Sequence, residues 1–246
     1  SPVTRGDMWK TGTYVDDWGC IFLNRQDGIV GEVKTPLVQD DDWNDWEKVH
    51  IPENWLSFDV AEVDAYCDSV DGFVLAGCYP RPFEQLQFIR GTENLMMDLV
   101  DPPDNMLRCM ELMHEFYCRQ LEKWASTKVD ALMIMDDWGT QRNLLISPET
   151  WTDLFQPLYQ DYIDIAKKHG KKMFMHSDGY TLAILPKLID MGLDAINTQI
   201  FCMEFDKLRE FRGHITFWGE IDRQNLLPYG TTDQIRAAVD KVMEYF

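Results

Sequence analysis

Five short, almost continuously apolar runs, each followed by a helical pattern, constrain this chain more than any other feature. The runs cover residues 72–78, 131–135, 172–175, 194–201 and 215–218. Strands that alternate with helices build βα units and a parallel sheet. Near-continuous apolar strands fit a sheet covered by helices. Residues 59–69 and 81–98 read as helices. Leu107, Met110, Met113, Tyr117, Leu121 and Trp124 then step by three or four along a long amphipathic helix. Ser147 and Pro148 open the next one, which runs to Lys168 and stops at Gly170. Further helices are expected at 181–191, stopped by Gly192, and at 204–211. Thr231 and Gln234 form the ends of a capping box before the last helix. GxGxxG, the P-loop and HExxH are absent. The pattern therefore predicts an α/β chain of the (β/α)8 TIM-barrel class. Five units fall short of eight, so the expectation is one domain over 1–246, a barrel incomplete at both ends.

Residues 1–55 do not follow this pattern. They hold five of the nine tryptophans and an alternating stretch from Thr13 to Leu23. A turn cluster from Asn24 to Gly28 and a second alternation from Ile29 to Val33 complete a predicted β-hairpin. The expectation is an excursion packed on the barrel.

With 42 acidic and 23 basic residues, the net charge is −19. That balance argues against nucleic acid, whose phosphates need Lys and Arg, and against an anionic membrane surface. Residues 1–80 carry 16 acidic and 5 basic side chains, so the N-terminal third holds most of the excess. No apolar run approaches the length of a membrane helix. Six scattered cysteines without a CxxC pair read as reduced thiols, and a cytoplasmic location is expected.

The chemistry is expected where the strands end. Asp136, Asp137 and Gln141 follow the second run, His176 and Asp178 the third. Asn197 and Gln199 lie in the fourth, and Glu220 and Asp222 follow the fifth. In a (β/α)8 barrel these ends converge on one face, where active sites sit. Of Asp136 and Asp137, neighbours along a strand, one should face the mouth and the other a loop or helix. His176 has the chemistry of a metal ligand, an acid/base or a substrate donor. His176 and Asp178 suit a divalent metal, with Glu220 or a residue outside the chain as a third ligand. His50, His114, His169 and His214 lie in helix or loop contexts and read as structural.

These runs resemble the uroporphyrinogen decarboxylase superfamily. The resemblance rests on 129–141, His176-Ser177-Asp178-Gly179 with 185–192, 194–199 and Trp218-Gly219-Glu220-Ile221-Asp222. Asp16-Asp17-Trp18-Gly19 is similar to a segment of its methyltransferase-like branch. The resemblance implies a TIM barrel with one of two activities. One branch decarboxylates uroporphyrinogen without a cofactor. The other moves methyl groups to or from corrinoids, often with zinc held by a His-x-Cys pair and a later Cys. His176 matches that His; Asp178 stands where the Cys would be, and the later Cys would fall beyond residue 246. Sequences with His-Ser-Asp-Gly look like corrinoid-linked methyltransferases and O-demethylases.

Methyl transfer is the favoured expectation. No Arg-rich N-terminal segment like that of the decarboxylases is seen, and a −19 chain repels an octa-carboxylate at long range. His176, Asp136 and Asp137 are the expected catalytic residues. Gln141, Asn197, Gln199, Glu220 and Asp222 are the expected substrate-binding set. The implied partners are a small-molecule substrate, a corrinoid protein and a second copy in a homodimer. The competing readings are the decarboxylase (a carboxy-lyase), a non-catalytic relative, and a glycoside hydrolase using Asp137 and Glu220.

Overall fold

The computed structural model describes residues 3–246. Three strands come first, β1 (Gly12–Val15), β2 (Ile21–Asn24) and β3 (Glu32–Val33). Then follow α1 (Val60–Ser69), β4 (Leu75–Ala76), α2 (Pro82–Arg90), α3 (Thr92–Asp98) and α4 (Asp104–Ala125). The second half runs β5 (Ala131–Met135), α5 (Pro148–Leu154), α6 (Gln156–Lys168), β6 (Lys172–Ser177) and α7 (Leu185–Met191). It closes with β7 (Ala195–Thr198), α8 (Phe205–Arg209), β8 (Thr216–Phe217), α9 (Leu226–Tyr229) and α10 (Thr232–Tyr245). The chain divides into two compact units: the chain up to Val60 with Arg81–Lys123, and Ala61–Pro80 with Trp124–Phe246.

In the first unit β1, β2 and β3 form an antiparallel sheet in that order. The stretch from Thr13 to Leu23 is two strands rather than one. Oδ1 of Asp16 accepts from the N–H groups of Trp18 and Cys20 at 3.0 and 2.7 Å, and Gly19 takes a φ of +90°. That side-chain-to-backbone turn reverses the chain within an alternation that otherwise suits a continuous strand. Burial pushes the Asp16 carboxyl up to about 6. The tryptophans build the core of this unit. Trp18 packs on Trp55, Phe116 and Tyr117 with ring centroids 5.5 to 6.2 Å apart. Trp43 is fully buried and donates its indole N–H to Asp98, which also receives the Nε–H of buried Arg90 at 2.7 Å. The helical pattern over 81–98 is α2 and α3, separated by Gly91 at φ +81°.

The second unit contains the parallel sheet, in the order β4-β5-β6-β7-β8. Consecutive strands are neighbours, as in a (β/α)8 barrel, and all five predicted runs are present. The run over 72–78 shrinks to the two residues of β4, because its start is taken up in a turn where Asp130 accepts from the Val74 N–H at 2.7 Å. Four of the five residues of β5 are buried, the signature of a strand covered on both faces. Ser147 caps α5 by accepting from the Thr150 N–H at 3.0 Å, and the Thr231–Gln234 capping box opens α10. The predicted helix to Lys168 is broken at Phe155, and Pro157 lies in the first turn of α6, where no helical N–H is needed.

Register decides which side chains meet. Met135 lies beside His176 in the β5–β6 pair, and His176 beside Asn197 in the β6–β7 pair. The next residue in line is Trp218, whose N–H donates to the Ile196 carbonyl at 2.9 Å.

Candidate active site

His176 is the last residue but one of β6 and is fixed from behind. Its Nδ1 lies 2.6 Å from Oδ1 of Asn197, and the Asn197 amide donates Nδ2–H to the Trp218 carbonyl at 2.6 Å. The carbonyl can only accept, so Nδ2 must face it and Oδ1 must face His176. Nδ1 of His176 therefore carries a proton, and in the neutral imidazole Nε2 presents a lone pair. That lone pair faces two carboxylate oxygens, Oδ1 of Asp137 and Oδ1 of Asp178, each at 3.7 Å. With the imidazole neutral, three electron-rich atoms converge here, an arrangement that suits a cation.

The donor atoms of Asp137, His176 and Asp178 all lie within 4.8 Å of one another. Bonds of about 2.0–2.2 Å from a tetrahedral zinc place its ligands roughly 3.4 Å apart, close to the separations seen. Oδ1 of Asp178 is buried and has no hydrogen-bond partner, although its carboxylate is partly exposed. A buried lone pair with no donor is costly. These residues fit a divalent ion. Among the described residues, Asp137 is the donor that joins His176 and Asp178 as a candidate third ligand.

Main-chain contacts bring the two carboxylates together. The loops after β5 and β6 cross at Gly139 and Gly179. A Cβ on Gly139 would sit 2.2 Å from the Tyr180 nitrogen, and one on Gly179 would sit 2.1 Å from the Gly139 carbonyl oxygen. Glycine alone permits this approach. The crossing is bonded by Gly139 N–H to the Asp178 carbonyl (3.1 Å), Tyr180 N–H to the Thr140 carbonyl (2.8 Å) and Asp178 N–H to Oδ1 of Asp137 (2.8 Å).

Asp136 points the other way. It is fully buried and accepts a hydrogen bond from the Tyr159 hydroxyl of α6 at 2.6 Å, while the Trp138 indole donates to that hydroxyl at 3.1 Å. Burial, reinforced by the Asp136 charge, pushes Tyr159 well above its ordinary range, so it stays a donor. Asp136 thus braces the strand end and does not reach the mouth.

Beside the triad lies a small cleft of about 40 Å³, lined by Gln141, Gln199, Phe201, Cys202, Glu220 and Arg223 among others. Gln141 donates to Oε1 of Gln199 at 3.0 Å, and the Cys202 thiol donates to Oε1 of Gln141 at 3.1 Å. Burial and the nearby carboxylate of Asp222 raise the Cys202 thiol, which keeps it protonated. Asp222 is occupied in a turn, accepting from the N–H groups of Gln224 and Asn225 at 3.0 and 2.9 Å. Arg223 bonds Oδ2 of Asp178 and lies 3.6 Å from Glu220. Of the expected residues, His176, Asp137, Asp178 and Asn197 form one cluster, while Gln141, Gln199 and Glu220 line the cleft. Sequence reasoning missed Arg223, Cys202 and Tyr159. Arg223 was readable, since it directly follows the Glu220–Asp222 strand end; Tyr159 carried no signal, being one apolar-face residue of a helix.

The family model for uroporphyrinogen decarboxylase (URO-D) matches residues 19–246. The chain belongs to the uroporphyrinogen decarboxylase family. Among solved structures, a methyltransferase from Methanosarcina mazei is similar, with a TM-score of 0.63 at 17% identity, covering 93% of this chain and 67% of that one. At that identity the likeness shows the fold, a TIM-barrel architecture of which this chain has five consecutive parallel strands, with an N-terminal antiparallel sheet. No curated protein matches the chain in sequence. No helix among the described residues is long and apolar enough to cross a membrane.

Proposed function

We propose that this member of the uroporphyrinogen decarboxylase family transfers methyl groups between a small methylated substrate and a corrinoid carried by a partner protein. The observation that supports the reading best is Nε2 of His176 converging with Asp137 and Asp178 beside a polar cleft. A divalent ion there, zinc in the first instance, would act as a Lewis acid on the heteroatom that carries the methyl group. His176, Asp137 and Asp178 would hold the ion. Asn197 fixes the imidazole tautomer. Gln141, Gln199 and Glu220 would orient the substrate in the cleft, which is positioning work. Asp136 has a supporting role through Tyr159 rather than a catalytic one.

The family description favours a second reading, decarboxylation of uroporphyrinogen. The cleft speaks against it. Its arginine, Arg223, is already paired with Asp178 and Glu220, and Asp222 adds another negative charge. A substrate with eight carboxylates is poorly matched to such a lining. Anaerobic incubation with cob(I)alamin and a panel of methoxylated aromatics and methylamines tests the proposal. The expected result is conversion to methylcob(III)alamin, followed by absorbance. No transfer from any donor, with carbon dioxide released from uroporphyrinogen, would overturn it.

A further inference from the structure

Arg223 stands between the cleft and the triad. Its Nη2 bonds Oδ2 of Asp178, and its Nε lies 3.6 Å from Oε2 of Glu220. The other oxygen of Asp178, Oδ1, is the buried atom with no hydrogen-bond partner, and it faces Nε2 of His176. The two oxygens of one carboxylate are thus divided, one held by a cation that belongs to the chain and one left open toward the triad. An aspartate carboxylate turns easily about its last torsion. Without an anchor, either oxygen could face the triad or swing toward solvent. The main chain of Asp178 is already fixed by Gly139 and Asp137. The side-chain torsion is the remaining freedom, and Arg223 removes it.

We propose that Arg223 is a positioning residue for the metal triad, holding Oδ2 of Asp178 so that Oδ1 stays turned toward His176 and Asp137. The inference rests on the metal reading of the site. It has an unusual sign. A positive charge near a bound cation opposes it, so on electrostatics alone removing Arg223 should tighten metal binding. Positioning demands the reverse. Outer partners of metal ligands are commonly worth about 10–100-fold in affinity. An exposed ion pair that served only the fold would contribute about 0–1 kcal/mol to stability.

The experiment is a Co²⁺ titration of metal-free protein, followed by visible absorption and calorimetry, for the wild type, Arg223→Met and Arg223→Lys. The expected result for Arg223→Met is binding weaker by about tenfold or more. Its cobalt spectrum should change, and the melting temperature of the metal-free protein should stay within a few degrees of wild type. Arg223→Lys, which keeps the charge and part of the contact, should recover some of the affinity. Unchanged or tighter Co²⁺ binding by Arg223→Met overturns the inference, as does a wild type that binds no Co²⁺, which also removes the metal from the proposed function. Normal Co²⁺ behaviour with no methyl transfer would instead leave this inference standing and sink methyl transfer.

Discussion

At the scale of single residues, the site depends on one amide. Asn197 is locked by the Trp218 carbonyl, and its locked orientation sets the proton on His176. A histidine ligand is commonly oriented by such a partner. Asn197→Ala removes the acceptor at Nδ1 and frees the ring to turn or change tautomer. Zn²⁺ affinity, measured by competition with a chromophoric chelator, is expected to fall by about 10–100-fold. Affinity within twofold of wild type would show that Asn197 does not orient the ring. The functional residues were legible to differing degrees. His176, Asp137 and Asp178 could be marked because ionisable or amide groups rarely end four consecutive strands without a purpose. Which of Asp136 and Asp137 faces the mouth could not be read, because strand alternation fixes opposite directions without saying which is inward. The Tyr159 hydroxyl decides that, from 23 residues away in sequence.

At the scale of elements, strands were easier to read than turns. The five parallel strands are where their apolar runs put them, most plainly β5, which is buried along four of its five residues and so has little choice of residue. The failures have local causes. Asp16 bends an alternation into two strands with its own side chain, and Gly91 cuts a continuous helical pattern. The glycine crossing after β5 and β6 was also invisible, since close approach of two loops leaves no periodic trace. It yields a direct prediction. In Gly139→Ala the new methyl group would collide with main chain of the other loop, which cannot yield as a side chain could. The expected outcome is loss of metal binding by more than tenfold together with a lower melting temperature, measured by calorimetry with and without Zn²⁺. A variant that binds Zn²⁺ normally would mean that the loops can part without disturbing the triad.

At the scale of the whole molecule, every residue of the triad and cleft belongs to the second compact unit, Ala61–Pro80 with Trp124–Phe246. Ligand binding stabilises what it binds, by about 2.7 kcal/mol at a free concentration 100 times Kd. Hydrogen exchange with and without Zn²⁺ should therefore show slowed amides in β5, β6 and their following loops. The β1–β3 sheet of the first unit should exchange at the same rate in both. Slowing of equal size in both units would show that the metal's stabilisation is shared by the entire chain. The net charge of −19 shaped the reading differently. It argues against nucleic acid as a partner, but 16 of the acidic groups lie in residues 1–80 and describe a surface more than a site.

The crossed loops have a consequence for how such a site can change over time. The main chain of position 178 is gripped independently of the Arg223 contact to its carboxylate: its carbonyl accepts from Gly139, and its N–H donates to Asp137. Nothing in that grip depends on the side chain. The position behaves like a socket, into which a thiol or a carboxylate can be fitted without rebuilding the wall around it. In the resemblance described above, a cysteine stands where this chain has aspartate. Exchanging the donor alters the ion's preferences, from softer toward harder metals, while the backbone and the neighbouring histidine stay in place. A lineage could retune its metal, and with it the leaving groups it can activate, by single substitutions at one address.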